Sequence, residues 1–213
     1  MARYVDVEEP RFTRWLFQST DAAWIWLVVR LYLGYEWLEA GWEKVTGSDQ
    51  AWKLTFTDAS WLKNGESLRG FIEHAALPQA AQGPHSAVNY GWYVAFLRWM
   101  DHPGPSDVMA KLISLGEVTV GILLILGLFT GIAAFLAGLL TMAFGLAGVA
   151  GVNPVFFLLE ILLILAWRNA GYIGLDRWVL PKVGTPWQHD VAVGRSPSQT
   201  QSTPLESESR DVP

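Results

Sequence analysis

Apolar positions along this chain fall into four blocks, separated by stretches where Gly, Pro, Asn and charged residues interrupt them. The blocks lie at 22–41, 108–127, 131–150 and 155–167. An α-helix rises about 1.5 Å per residue, so roughly 20 residues cross the ~30 Å hydrocarbon core of a bilayer. The fourth block reaches that length if its helix continues through Arg168 and Asn169, with the arginine extending to the interface. A soluble bundle would have to bury the run GILLILGLFTGIAAFLAGLLTMAFGLAGVAG on every side of two consecutive helices. The pattern therefore predicts an all-α fold: an integral membrane four-helix bundle with a helical extracytoplasmic insertion between helices one and two.

That insertion, 42–107, is too long for a structureless loop and should carry its own elements. SLRGFIEHAAL places Leu68, Phe71, Ile72, Ala75 and Ala76 at helical spacing and stops near Pro78. SAVNYGWYVAFLRWM is too short to span and rich in aromatics, which suits a segment lying at the water–lipid boundary. In the third block Gly131, Ala134, Gly138, Thr141, Gly145 and Gly148 recur every three or four residues and line one helix face with small side chains. Lipid offers little hydrophobic drive between helices, so such a face is expected to be a packing seam, with a substrate groove along it as the alternative. The fourth helix should start at Asn153 as N-cap with Pro154 in the first turn, and should end at a left-handed Gly171. YIGLDRWVLP then reads as a short interfacial segment. The organisation expected is a cytoplasmic segment 1–21, a membrane domain 22–183 and a disordered polar tail 184–213.

Composition supports the lipid reading, with 51% hydrophobic residues, 16% charged residues and 12 tryptophans. Acidic residues before the first block and the lack of a small-residue cleavage pattern argue for an uncleaved anchor. Arg3, Arg11 and Arg14 precede the first block, and Arg168, Arg177 and Lys182 follow the fourth. The positive-inside rule then puts both termini in the cytoplasm of a multi-pass protein of the cell membrane. The absence of cysteine excludes disulfides, cysteine-ligated iron–sulfur clusters and thiol nucleophiles. His74, His85, His102 and His189 lie outside the blocks without ligand spacing, so haem held by paired helix histidines is not expected, and these residues read as exposed or capping. The glycines sit within apolar helices and not in strand-to-helix turns, so no flavin, nicotinamide or metal site is indicated, and no nucleic-acid partner is expected.

Four ionisable residues fall within the blocks: Arg30, Glu36, Glu117 and Glu160. A charge at mid-span costs about 3 kcal/mol on insertion scales and each Leu or Ile returns only about 0.5, so these side chains should turn inward. Trp26, Arg30, Gly34, Trp37, Gly41 and Lys44 share one stripe of the first helix, whereas Glu36 lies on another face. Arg30 is accordingly expected to pair with Glu117 or Glu160 from a neighbouring helix, either as a functional polar pocket or as a buried pair fixing helix register.

VRLYLGYEWLEAGWEKVTG, SLGEVTVGILLILGLFTGIAAFLAG and NPVFFLLEILLILAWRNAGYIGLDRWVLP together resemble the DoxX family, and within it the DoxD-like members related to the large subunit of thiosulfate:quinone oxidoreductase. The similarity runs from Val29 to Trp187. It picks out Arg30, Gly41 and Lys44, then Gly116, Glu117 and Gly127, then Asn153, Pro154, Gly171 and Asp176. The resemblance implies a membrane subunit that works with a separate partner subunit to oxidise thiosulfate and reduce a membrane quinone, the electron acceptor. On that reading Arg30 and Glu117 bind the quinone head group, a glutamate supplies protons, and Lys44, Arg69 or Arg98 steer anionic thiosulfate at the outer mouth. A non-catalytic membrane scaffold whose aromatic cap docks a redox partner is the other reading.

Overall fold

Glycine permits close backbone contact between the helices of the first two apolar blocks. In the computed structural model, which describes residues 9–49, 52, 54–80, 88 and 90–183, α2 (Ala23–Thr46) packs antiparallel to α6 (Pro105–Leu126). A methyl group on Gly41 would lie 2.6 Å from the Val118 backbone nitrogen, and one on Gly121 would lie 2.6 Å from that of Leu38. The two backbones touch because neither position carries a side chain. α6 turns at Gly127, whose φ is +64°, and leads into α7 (Thr130–Leu146), which packs along α8 (Asn153–Leu165). α8 meets α2 and closes the bundle. Its centre is filled by Trp26, Leu33, Trp37, Val120, Leu124, Ala133, Ala134, Ala137, Phe156 and Leu163.

All the elements among the described residues are helical. Three of the four apolar blocks give helices close to their expected bounds, and α2 runs five residues further than expected, to Thr46. By length and composition α6 is the one described helix long and apolar enough to cross a membrane. α7 and α8 are apolar but span 17 and 13 residues. α2 has 24 residues but includes Arg30, Glu36, Glu39, Glu43 and Lys44.

The small-residue face of α7 does form a seam with α8 and the turns after it, where Gly138 faces Phe157 and Glu160 and Gly131 admits Trp167. The seam stops short of its expected end, since Gly145 has open space around it. Both terminal signals of α8 act differently from expectation. Asn153 lies inside the first turn and its side-chain amide donates to the Val149 carbonyl at 2.6 Å, so it fastens the preceding loop instead of capping the helix. Gly171 is not among the left-handed glycines: the helix closes at Ala166 through a run of turns.

The insertion folds into a cap. α3 (Glu66–Phe71), a π-helical turn (Ile72–Ala76) and α4 (Leu77–Ala80) form one continuous run that passes through Pro78. α5 (Gly91–Met100) lies beside it, and both rest on the start of α6 around Leu68, Ile72, Leu97 and Ala110. The Tyr93 hydroxyl donates to the Ala143 carbonyl of α7 at 2.6 Å, and burial raises the pKa of this phenol. A helix that the apolar blocks did not announce, α1 (Arg11–Gln18), lies at the other end. There the Trp26 indole and the Asn169 amide donate to the Leu16 carbonyl at 2.8 and 3.0 Å. The tail 184–213 lies outside the described residues.

Candidate functional site

Arg30, Trp37 and Lys44 are seven residues apart on α2, so they project from nearly the same face at heights about 10 Å apart. Each meets a polar group from another part of the chain, and the bundle thereby acquires three polar layers.

The layer nearest α1 is built from backbone. Arg30, 1% exposed, donates from Nη2 to the Ile173 carbonyl at 2.6 Å. Its guanidinium packs against the bare Cα atoms of Gly127 and Gly174, where added methyl groups would come within 1.5 and 2.5 Å of Nη1. Asp176 is fully buried beside this cluster, and its two carboxylate oxygens accept from the amides of Phe129 at 2.5 Å and Thr130 at 2.9 Å. A residue from the start of α9 (Asp176–Val179) thus caps the start of α7. Gly171 gives that carboxylate room, since a methyl there would lie 2.0 Å from Oδ2. The amides of Leu175 and Asp176 donate to the carbonyls of Leu126 and Gly127, closing the end of α6.

Glu160 occupies the middle layer and is fully buried. Its Oε1 accepts from the Trp37 indole at 3.0 Å and from the Thr141 hydroxyl at 2.9 Å, while Oε2 has no hydrogen-bond partner among the described residues. Oε2 lies 3.8 Å from where a Gly138 methyl would be, on the α7 face. Thr141 also lines a hollow of about 420 Å³ between α7 and α8, with Gly145, Val149, Asn153 and Phe157. Groove, hydroxyl and carboxylate therefore follow one another from the flank of the bundle inward.

At the cap end, Lys44 forms an ion pair with Glu117 at 2.7 Å. Glu117 is fully buried and its Oε1 is unpartnered among the described residues, whereas the lysine side chain remains 22% exposed. The ammonium sits 5.6 Å from the Trp61 ring centroid and 5.5 Å from that of Phe144, within cation–π range of both.

The inward turn expected of Arg30, Glu117 and Glu160 is present, but the expected pairing of Arg30 with either glutamate is not. Arg30 lies fourteen residues from Lys44 on α2, about 21 Å along the helix axis. Glu117 is at the height of Lys44, so Arg30 and Glu117 cannot share a quinone head group. Glu36 is half-buried on a different face from Arg30, as its phase requires. Among the steering candidates Lys44 is engaged with Glu117, Arg69 is half-buried on α3 and Arg98 is exposed on α5. No hydrogen bond or ion pair among the described residues joins any two of these three. His74 and His102 are exposed, each with Nδ1 near the carbonyl four residues earlier, and His85 and His189 lie outside the described residues.

Sequence reasoning missed Thr141 and Trp61 as polar-layer partners, and it missed the Ile173 carbonyl altogether. A hydroxyl within an otherwise small, apolar stripe was the available signal for Thr141. A backbone acceptor leaves none. No curated protein and no solved structure matches the chain. Residues 25–149 match the family model described as DoxX, which places α2, the cap, α6 and α7 within one family domain. That match covers more than half of the sequence, and the chain belongs to the DoxX family.

Proposed function

We propose that this DoxX protein is the membrane subunit of a quinone-linked oxidoreductase, built as a four-helix membrane bundle with its cap and the Lys44–Glu117 pair on the extracytoplasmic side. DoxX family proteins are membrane proteins. Only a third of the most apolar window of α6 is buried, too little for the core helix of a soluble protein. Ile132, Phe135 and Leu139 of α7 and Val155, Leu158 and Ile161 of α8 are exposed, which suits contact with acyl chains. α8 is short for a span, and the turns through Gly171 lengthen it.

The observation that carries the redox reading is the α7–α8 groove ending on Thr141, with Glu160 behind it. Its volume lies within the range of small-molecule sites, its walls are mostly apolar, and of its two polar side chains, Asn153 and Thr141, the second leads to a carboxyl group. A quinone takes up two electrons and two protons on becoming a quinol. Glu160, protonated, can supply one of these protons through the Thr141 hydroxyl, which turns from Glu160 Oε1 to a head-group oxygen, and water at the mouth of the groove supplies the other and reprotonates Glu160. Trp37 fixes the carboxyl through Oε1. Two thiosulfate anions joined by a sulfur–sulfur bond as tetrathionate release the two electrons. That oxidation is assigned to the outer face and a separate partner subunit, with Lys44, Arg69 and Arg98 supplying positive charge. The exposed Tyr90, Trp92 and Trp99 of the cap favour docking of such a partner, and they equally favour a scaffold without chemistry of its own.

Thiosulfate-dependent reduction of a short-chain quinone by the full chain, reconstituted with candidate partner subunits, tests the proposal. Thr141→Val is expected to lower turnover at least about tenfold with folding intact, and Glu160→Gln to change the pH dependence of turnover. Full activity in both variants would remove the groove from the reaction. Partner binding through the cap without quinone reduction would establish the scaffold reading.

A further inference from the structure

The α7–α8 seam holds a second hollow, at the end nearest α1 and α9. It measures about 410 Å³ and is walled by Ile132, Phe135, Ile164, Trp167 and Leu180. Thr130 also borders it, with its hydroxyl buried and unpartnered among the described residues. The lining is otherwise apolar, but a cation stands beside it: the exposed guanidinium of Arg168, the residue next to the hollow's Trp167 wall, lies 5.6 Å from the centroid of that ring. Among the described residues no carboxylate forms an ion pair with a cation at this end. Asp176 is committed to the α7 amides, Glu9 accepts from Gln18, and Asp21 is the remaining carboxylate of the segment leading into α2. Arg177 and Lys182 add exposed positive charge.

We propose that this hollow is a binding site for one anionic phospholipid, with an acyl chain between α7 and α8 and its phosphate at Arg168. An apolar trough on the flank of the bundle takes hydrocarbon, and a cation raised on an aromatic ring at its rim takes the headgroup charge. The site rests on the chain lying in a bilayer and does not depend on the quinone reading, since it uses none of the residues of the Thr141 groove.

Native mass spectrometry of the full chain in detergent, titrated with phosphatidylglycerol and with phosphatidylcholine of the same acyl chains, tests it. The wild-type chain is expected to bind one phosphatidylglycerol about fivefold more tightly than phosphatidylcholine, the preference one interfacial cation confers. Arg168→Gln should abolish that preference while leaving the weaker binding common to both lipids. Ile164→Trp should weaken both lipids by filling the trough. Lys63→Gln, in the cap, should alter neither. Equal wild-type affinity for the two lipids, an undiminished preference in Arg168→Gln, or displacement of the lipid by an equal concentration of inorganic phosphate would each overturn the assignment.

Discussion

The two ends of the bundle handle a buried charge in opposite ways. At the α1 end, the Ile173 carbonyl holds Arg30 and the Phe129 and Thr130 amides hold Asp176, with glycines leaving space around both side chains. At the cap end, Lys44 and Glu117 hold each other through flexible side chains, and the lysine still reaches solvent. Backbone partners cannot rotate away, so the first arrangement fixes a corner of the fold. Side-chain partners can separate and reform, so the second can respond to a ligand or a proton. This difference assigns architecture to one end and leaves the other available for chemistry.

The largest effect that tests this contrast belongs to Gly127→Ala. The new methyl would overlap the Arg30 guanidinium at a position with φ +64°, and a loss of about 3–5 kcal/mol is expected, read by denaturant or thermal unfolding in detergent. Lys44→Met comes next, at about 3 kcal/mol, the low end for a broken buried pair because the lysine is partly exposed while the carboxylate it strands is fully buried. Asp176→Asn should cost about 1–2 kcal/mol by turning an amide donor toward two backbone N–H groups. Glu117→Gln should cost only about 1 kcal/mol, since the lysine it releases can turn to water. If Glu117→Gln proved as damaging as Gly127→Ala, the cap-end pair would be as rigid as the other and the contrast would fail. At the bottom of the scale lies Asp58→Asn. The hydrogen bond and charge of Lys63 hold the Asp58 carboxyl below its usual pKa, so any stability it adds is present above the usual carboxylate range and lost as pH falls below it. Both groups are exposed, and no measurable change in unfolding is expected at neutral pH.

Helix positions and the inward turn of the charges were legible because both follow from periodicity and from the cost of charge in lipid. Arg30, Gly127, Gly171 and Asp176, all picked out by the family resemblance, do converge on one corner. Their arrangement was not legible. Phase says which face of α2 carries Arg30, but not which height of the neighbouring helix meets it, and the actual acceptor is a carbonyl that any residue could supply. Gly171 was misread for the same reason. The sequence shows that a side chain is missing, and only the fold shows whether a dihedral angle or a neighbour's bulk required it. Asn153 could satisfy either an amide or a carbonyl, and the loop before α8 took its donor.

The cap on α7 has a consequence for synthesis. The carboxylate that receives the Thr130 amide lies 46 residues further along the chain, so the corner after α6 is incomplete when α7 first leaves the ribosome. Translation must pass Asp176 before that turn can set, and a chain arrested after α8 would retain an unsealed corner however well its helices had formed.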